Sequence, residues 1–246
     1  MALAGHYVDP RLVALYDLEN GRGADTDFYR GLAADAGART IVDLGCGTGL
    51  LTCELALAGC QVIGVDPSPA MLAVARAKPG AELVRWIEGD ARSLAAFEAD
   101  LALMTGNVAQ VFLDDEAWAA TLAGLHGALR PDGLLAFESR NPADRAWERW
   151  TPAATAASLD TPAGPVTTWL EVVDAVPGLV RLRGYNRFEA SGELVTAGEE
   201  LRFRSREELA GSLERAGFVV EQLYGGWERG PLTDASRLMI FVARRG

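Results

Sequence analysis

Three acids, Asp43, Asp66 and Asp90, each stand at or just beyond the end of an apolar run, and they mark where chemistry could sit in this 246-residue chain. After Asp43 come Gly45, Gly47 and Gly49 at alternate positions, then an apolar helical segment from Leu50. A strand, a glycine turn and a helix start together form a corner that takes a ligand. Glycine tolerates positive φ and lets a ligand approach the backbone. The helix start offers free N–H groups to a negatively charged part of that ligand. Asp66 lies 21 residues beyond Gly45, at the end of the second apolar run. A carboxylate there is placed to accept hydrogen bonds from the 2′ and 3′ hydroxyls of a ribose. Its other reading is a helix cap, but Ser68 followed by Pro69 is the better cap.

The spacing separates two kinds of cofactor. A dinucleotide fingerprint, GxGxxG, would need glycine at position 50, where Leu50 stands. The chain reads D-x-G-x-G-x-G over residues 43–49 instead, which resembles the first motif of the class I S-adenosylmethionine (SAM) methyltransferases. The resemblance covers roughly residues 38–140 and 205–244 and includes the acids after the second and third strands. It implies an α/β fold: a Rossmann-like seven-stranded methyltransferase sheet with helices on both faces. It also implies SAM as cofactor and methyl transfer to nitrogen or oxygen of a small-molecule acceptor. By the same resemblance Asp90 holds the adenine amino group and the Ala91 N–H meets a ring nitrogen. Asp43, Gly45, Cys46 and Gly47 belong to the glycine corner, Pro67 and Met71 to the turn and helix after the second strand. Thr105, Gly106 and Asn107, at the end of the fourth strand, underlie the methionine part. Apart from the resemblance, two tyrosines in the short, weakly periodic N-terminal arm lead us to expect that it closes over the cofactor through Tyr7 or Tyr16. The Asn/Asp-Pro-Pro-Tyr/Phe motif of many enzymes that methylate nucleic-acid or protein amino groups is replaced here by TGNVAQ. Two other readings are a nicotinamide-dependent oxidoreductase and a SAM-binding protein without methylation activity.

The elements that must position these residues follow from pattern. Asp25 or Thr26 is placed to cap a helix reaching about residue 36. Residues 40–44, 61–66, 83–87, 99–105 and 134–138 read as strands, with a turn at residues 130–133. Trp118, Leu122, Leu125 and Leu129 form one buried helical stripe, and His126 beside it reads as structural. Ser205 and Glu208 form a capping box. Between the fifth strand and that box, residues 166–176, 179–189 and 193–204 read as a three-stranded antiparallel insertion. In its middle strand Arg181, Arg183, Tyr185 and Arg187 share a face that reads as solvent-exposed. The domains expected are an N-terminal arm and helix (1–37), the SAM-binding core (38–141 and 205–246) and an inserted lid (142–204). Trp147, Trp150, Trp169, Tyr185 and Phe188 are expected to wall an acceptor pocket with Asn107, Glu138 and Arg140; the alternative role for the inserted sheet is a homodimer interface. His6, Tyr16, Asp17 and Glu138 are the available bases, and none has a spacing that selects it.

Composition bounds the rest. The formal net charge is −11, with no basic run, which argues against nucleic acid as the main partner. Cys46, Cys53 and Cys60, with two distant histidines, do not make a metal site and suit a reducing cytoplasm. No segment approaches the roughly 20 apolar residues of a membrane span, and the N-terminus does not read as a signal peptide.

Overall fold

The computed structural model describes residues 4–94 and 96–246, so the first three residues of the expected arm lie outside the described residues. The arm holds two short helices, α1 (Pro10–Val13) and α2 (Tyr16–Glu19), before α3 (Ala24–Asp35). The core then alternates: β1 (Thr40–Leu44), α4 (Leu50–Leu57), β2 (Gln61–Asp66), α5 (Pro69–Ala75), β3 (Val84–Glu88), β4 (Ala99–Met104), α6 (Asp115–Ala128) and β5 (Leu129–Arg140). Then come α7 (Pro152–Thr155), β6 (Ala157–Leu159), β7 (Val166–Val176), β8 (Leu179–Phe188) and β9 (Glu193–Arg202). The chain returns to the core through α8 (Arg206–Arg215), β10 (Phe218–Tyr224) and β11 (Leu238–Arg245).

The main sheet has seven strands, as expected, and their order is β10-β11-β5-β4-β1-β2-β3. β3, β2, β1, β4 and β5 run parallel, and β11 and β10 close the far edge antiparallel. Side chains alternate along each central strand. Val42, Leu44, Val65 and Met104 pack on one face against Trp118 and Leu122 of α6 and Leu209 and Leu213 of α8. Ile41, Val62, Leu101 and Leu103 pack on the other, against Phe28 and Tyr29 of α3 and Leu51 and Leu55 of α4. Burial on both faces is why these strands read as near-continuous apolar runs. Strand order reverses between β1 and β4, and the loops after these two strands therefore open a crevice at the sheet's carboxyl edge.

Three local expectations are corrected. The insertion has four antiparallel strands, β6-β7-β8-β9, not three, because the short β6 pairs with β7. Helix α3 starts two or three residues earlier than its expected caps, with Gly23 as N-cap and Thr26 buried inside the first turn. The turn expected at residues 130–133 is a bulge within β5. Ala99 pairs with Leu129 while Leu101 pairs with Leu134, and Asp132 takes φ 61° in the displaced segment.

Candidate active site

The three glycines of the corner all take positive φ, 76°, 54° and 73° at Gly45, Gly47 and Gly49. They do different work. A Cβ on Gly45 would come within 2.5 Å of Val108, and one on Gly49 within 2.6 Å of Trp86. Those two glycines let the loop pack. A Cβ on Gly47 would meet nothing nearer than the Tyr16 ring at 4.0 Å, and one on Gly106 nothing nearer than the Tyr16 hydroxyl at 3.9 Å. Those two leave a cradle open beneath Tyr16. The cradle belongs to a cavity of about 550 Å³ that Tyr16, Gly45, Gly47, Asp66, Pro67 and Met71 line, with Asp90, Ala91, Thr105 and Gly106. Ten of the thirteen expected cofactor residues are thus brought to one cavity.

Asp66 ties this corner together. One carboxylate oxygen accepts from the Gly47 N–H at 2.9 Å and the other from the Ser68 N–H at 2.8 Å. Burial pushes its carboxyl up, and the two backbone N–H groups oppose that rise. Each oxygen keeps acceptor capacity for a further donor. Asp90 sits at the more exposed end. Arg92 binds both its oxygens and holds its carboxyl below the ordinary value.

Asp43 and Cys46 do not line the cavity; they lie behind the loop. Asp43 is almost fully buried, accepts from the Thr52 hydroxyl at 2.6 Å through Oδ2, and has no partner for Oδ1 among the described residues. Burial pushes its carboxyl up to about 6. Burial likewise keeps the Cys46 thiol protonated. Asn107 is displaced from the cofactor side. It takes φ 62°, its N–H donates to Glu138, and its side chain lines a second cavity.

The arm roofs the first cavity. The Ser68 hydroxyl donates to the Tyr7 carbonyl. Asp17 accepts from Thr48 at 2.5 Å and pairs with Lys78. Leu12 and Leu15 pack against Val166, Val195 and Ala197 of the inserted sheet. The Tyr7 hydroxyl donates to Glu199 of β9 at 3.1 Å. Arm, core and insertion therefore meet around Tyr7 and Tyr16.

The second cavity, about 520 Å³, lies between the arm and the insertion. Tyr7, Tyr16, Gly106, Val111, Leu182 and Glu199 line both cavities, so the two adjoin there. Trp169 and Tyr185 stack in parallel, centroids 5.0 Å apart, on its wall. Arg140 is held there by Gln110 at 2.9 Å, with its guanidinium over the Trp150 ring. Two expected wall residues are elsewhere: Trp147 packs on Phe203, and Phe188 packs with the Leu12 cluster. Glu138 is also removed from the list of accessible bases. It is buried beneath the site, where it accepts from the Tyr29 hydroxyl and the Asn107 N–H. The arginines of the β8 face, Arg181, Arg183 and Arg187, are exposed as expected, and Arg181 and Arg183 also edge the first cavity. Glu19 and Glu199 are site residues that sequence reasoning missed; both stand in short or alternating segments without a motif.

Residues 41–133 match the family described as a methyltransferase domain. Cypemycin N-terminal methyltransferase of Streptomyces sp. is 35% identical over 108 residues, 43% of this chain and 44% of that protein. Residues 41–133, which carry the glycine corner, Asp66 and Asp90, are a methyltransferase domain of the class I SAM-dependent type. Trans-aconitate 2-methyltransferase of Deinococcus radiodurans is 34% identical over 166 residues, 67% of this chain and 62% of that protein. The chain spans about half the length of the curated relatives it matches. The solved structure of the CcbJ methyltransferase from Streptomyces caelestis superposes with TM-score 0.79 over 98% of each chain at 22% identity, which shows the common fold. The corner of this methyltransferase domain fits the family's cofactor on its own geometry. The open cradle over Gly47 and Gly106 admits a ligand, and Asp66 on the cavity wall keeps acceptor capacity for its hydroxyls. Among the described residues, no helix is long and apolar enough to cross a membrane.

Proposed function

We propose that this chain transfers the methyl group of SAM to nitrogen or oxygen of a small-molecule acceptor. The observation that carries this reading is the pair of adjoining cavities. One is built from the glycine corner and the strand-end acids, and the other is closed by arm and insertion. Bound in the first, SAM supplies a methyl group made electrophilic by positively charged sulfur. Asp66 accepts from the ribose hydroxyls, Asp90 and Ala91 take the adenine, and Gly47 with Gly106 leaves room for the methionine part under Tyr16. Residues 142–204 act as the acceptor subdomain, residues 1–37 as the arm that closes the site, and the rest as the cofactor core. Roofing by Tyr7 and Tyr16 excludes water and holds the acceptor close, which is where most of the rate advantage arises.

An acceptor that starts protonated needs somewhere to lose that proton. His6 lines the second cavity, and burial lowers its pKa, so it is neutral near pH 7. Tyr16, pushed up to about 12 by burial, stays protonated. Asp17 is occupied by Lys78 and Thr48. His6 is therefore the base in this reading. Its three free thiols suit a reducing compartment, and the cytoplasm is the proposed location.

Calorimetry with SAM, its demethylated product S-adenosylhomocysteine (SAH) and NADH, followed by turnover of methyl-labelled SAM with a metabolite pool, tests the proposal. Binding of SAM and SAH but not NADH, with label passing to a small product, is expected. NADH binding without SAM binding would reverse it, and SAM binding with no labelled product would leave a binding protein. His6→Gln should cut turnover by about 10²-fold or more with SAM affinity unchanged.

A further inference from the structure

The second cavity has an electrostatic imbalance. Its charged side chains are His6, Glu19, Arg140 and Glu199. Arg140 supplies one positive charge against two carboxylates. His6 is neutral near pH 7. Within ion-pair distance Glu199 meets only His6, at 3.6 Å, among the described residues. Its side chain is only 17% exposed, and a carboxylate so enclosed is costly without a counter-charge. Oε1 accepts from Tyr7 at 3.1 Å, and Oε2 has no hydrogen-bond partner among the described residues.

Position adds to charge. Glu199 lines both cavities, beside Tyr16 and Gly106, whereas Glu19 and Arg140 line only the second. The surrounding walls are the rings of Tyr7, Tyr16, Trp150, Trp169 and Tyr185. Aromatic faces attract a desolvated organic cation, and a carboxylate accepts a charge-assisted hydrogen bond from it.

We propose that the acceptor is an organic amine bound as its ammonium ion, with Glu199 as its counter-ion where the two cavities meet. This deepens the methyltransferase reading above and rests on it. It selects nitrogen over oxygen as the acceptor atom. Arg140 attracts Glu199 only at longer range: the two do not form an ion pair, and the guanidinium is engaged by Gln110 and Trp150.

The test is calorimetry on the full chain saturated with SAH, titrated at pH 7.5 with cyclohexylamine, cyclohexanol and cyclohexanecarboxylate. The three probes share a ring and differ in charge. The wild-type chain should bind the amine about tenfold or more tighter than the alcohol, the scale of one charge-assisted hydrogen bond. Glu199→Gln should remove that preference while still binding SAH. Tyr7→Phe should keep it, because it deletes only the arm's hydrogen bond and leaves the carboxylate. If Glu199→Gln does not fold, the wild-type selectivity and Tyr7→Phe still decide. Equal or weaker binding of the amine than of either other probe, or no probe binding with SAH bound, overturns the amine assignment and leaves the methyltransferase reading intact. Preference retained in Glu199→Gln overturns the role of that residue. A Glu199→Gln change that lowers affinity for SAM but not SAH, with probe preference intact, assigns the carboxylate to the sulfonium and overturns the proposal. Failure of the wild-type chain to bind SAH removes both readings.

Discussion

The two cavities are close in volume and differ in how they are built. The floor of the first cavity, Gly45, Gly47, Asp66, Asp90, Thr105 and Gly106, lies at strand ends within one run of parallel strands, and the arm and the insertion only edge it. The acceptor cavity is assembled from the arm, the β4 and β5 ends, α7 and the β6–β9 sheet, segments separated by up to about 190 residues. A cofactor shared across a family is held by backbone turns and strand-end acids, which local sequence specifies. An acceptor is held by side chains that only tertiary packing brings together. Changes in the first cavity should therefore alter cofactor binding sharply, and changes in the second should spare it.

The glycines provide the severest way to break that distinction. Gly47→Leu puts a side chain into the cradle at φ 54°. It should weaken SAM binding at least about 100-fold, since it both fills the site and adds roughly 1–2 kcal/mol of backbone strain. Gly49→Leu meets Trp86 and Ala75 instead. Its main effect should appear as a lowered melting temperature in the absence of SAM. Equal effects of the two substitutions on melting and on SAM affinity, measured by thermal unfolding and calorimetry, would erase the difference argued for the two glycines.

Asp66→Ala comes next. Losing a charged acceptor from the ribose site should cost about 1.5–3 kcal/mol of SAM affinity, and unchanged affinity would remove the ribose role. Asp90→Ala should cost less, because that carboxylate is more exposed and already engaged by Arg92. A larger loss at Asp90 than at Asp66 would invert the roles of the cavity's two ends.

Asp43 offers a pH-dependent test. Burial raises its carboxyl from 3.8 to about 6, so the folded chain holds a proton there that the unfolded chain has released. Stability without cofactor should therefore fall as pH rises from about 4 to 6 on account of this group. Asp43→Asn keeps an acceptor for Thr52 and carries no charge. It should raise stability at pH 7.5 by about 1–3 kcal/mol in the absence of SAM, and denaturant melts at pH 4 and 7.5 would measure this. No gain at pH 7.5 would mean that water already serves the Oδ1 atom.

How much of this was legible follows the same division. The seven-stranded sheet, the glycine corner and the capping box at Ser205 were readable because each is coded by neighbours in sequence: apolar runs, alternate glycines, a serine three residues before a glutamate. Glu138 was misread as accessible because a strand-end acid looks the same whether it faces a ligand or, as here, Tyr29. Glu199 was missed because Glu-Glu in an alternating strand carries no signature. Its place depends on the inserted sheet folding back against the arm through Leu12, Leu15, Val195 and Ala197. The fourth strand of that sheet, three residues long, is too short to show a period.

The smallest effect is expected at Trp169, and it probes the comparison from the acceptor side. Its ring stacks in parallel on Tyr185, whose hydroxyl donates to Glu171 at 2.7 Å, so the pair forms a braced wall of the second cavity. Trp169 does not line the first cavity. An aromatic pair contributes about 0.5–1.5 kcal/mol beyond its buried area, and a ring beside a bound cation adds a similar amount at a partly exposed site. Trp169→Ala should therefore weaken cyclohexylamine binding to the SAH complex by about three- to tenfold. The same variant should leave SAM affinity within about twofold, because nothing in the glycine corner touches that wall. Loss of SAM affinity comparable to the loss of amine affinity would show that the insertion supports the cofactor as much as the acceptor, and the two cavities would have to be treated as one site.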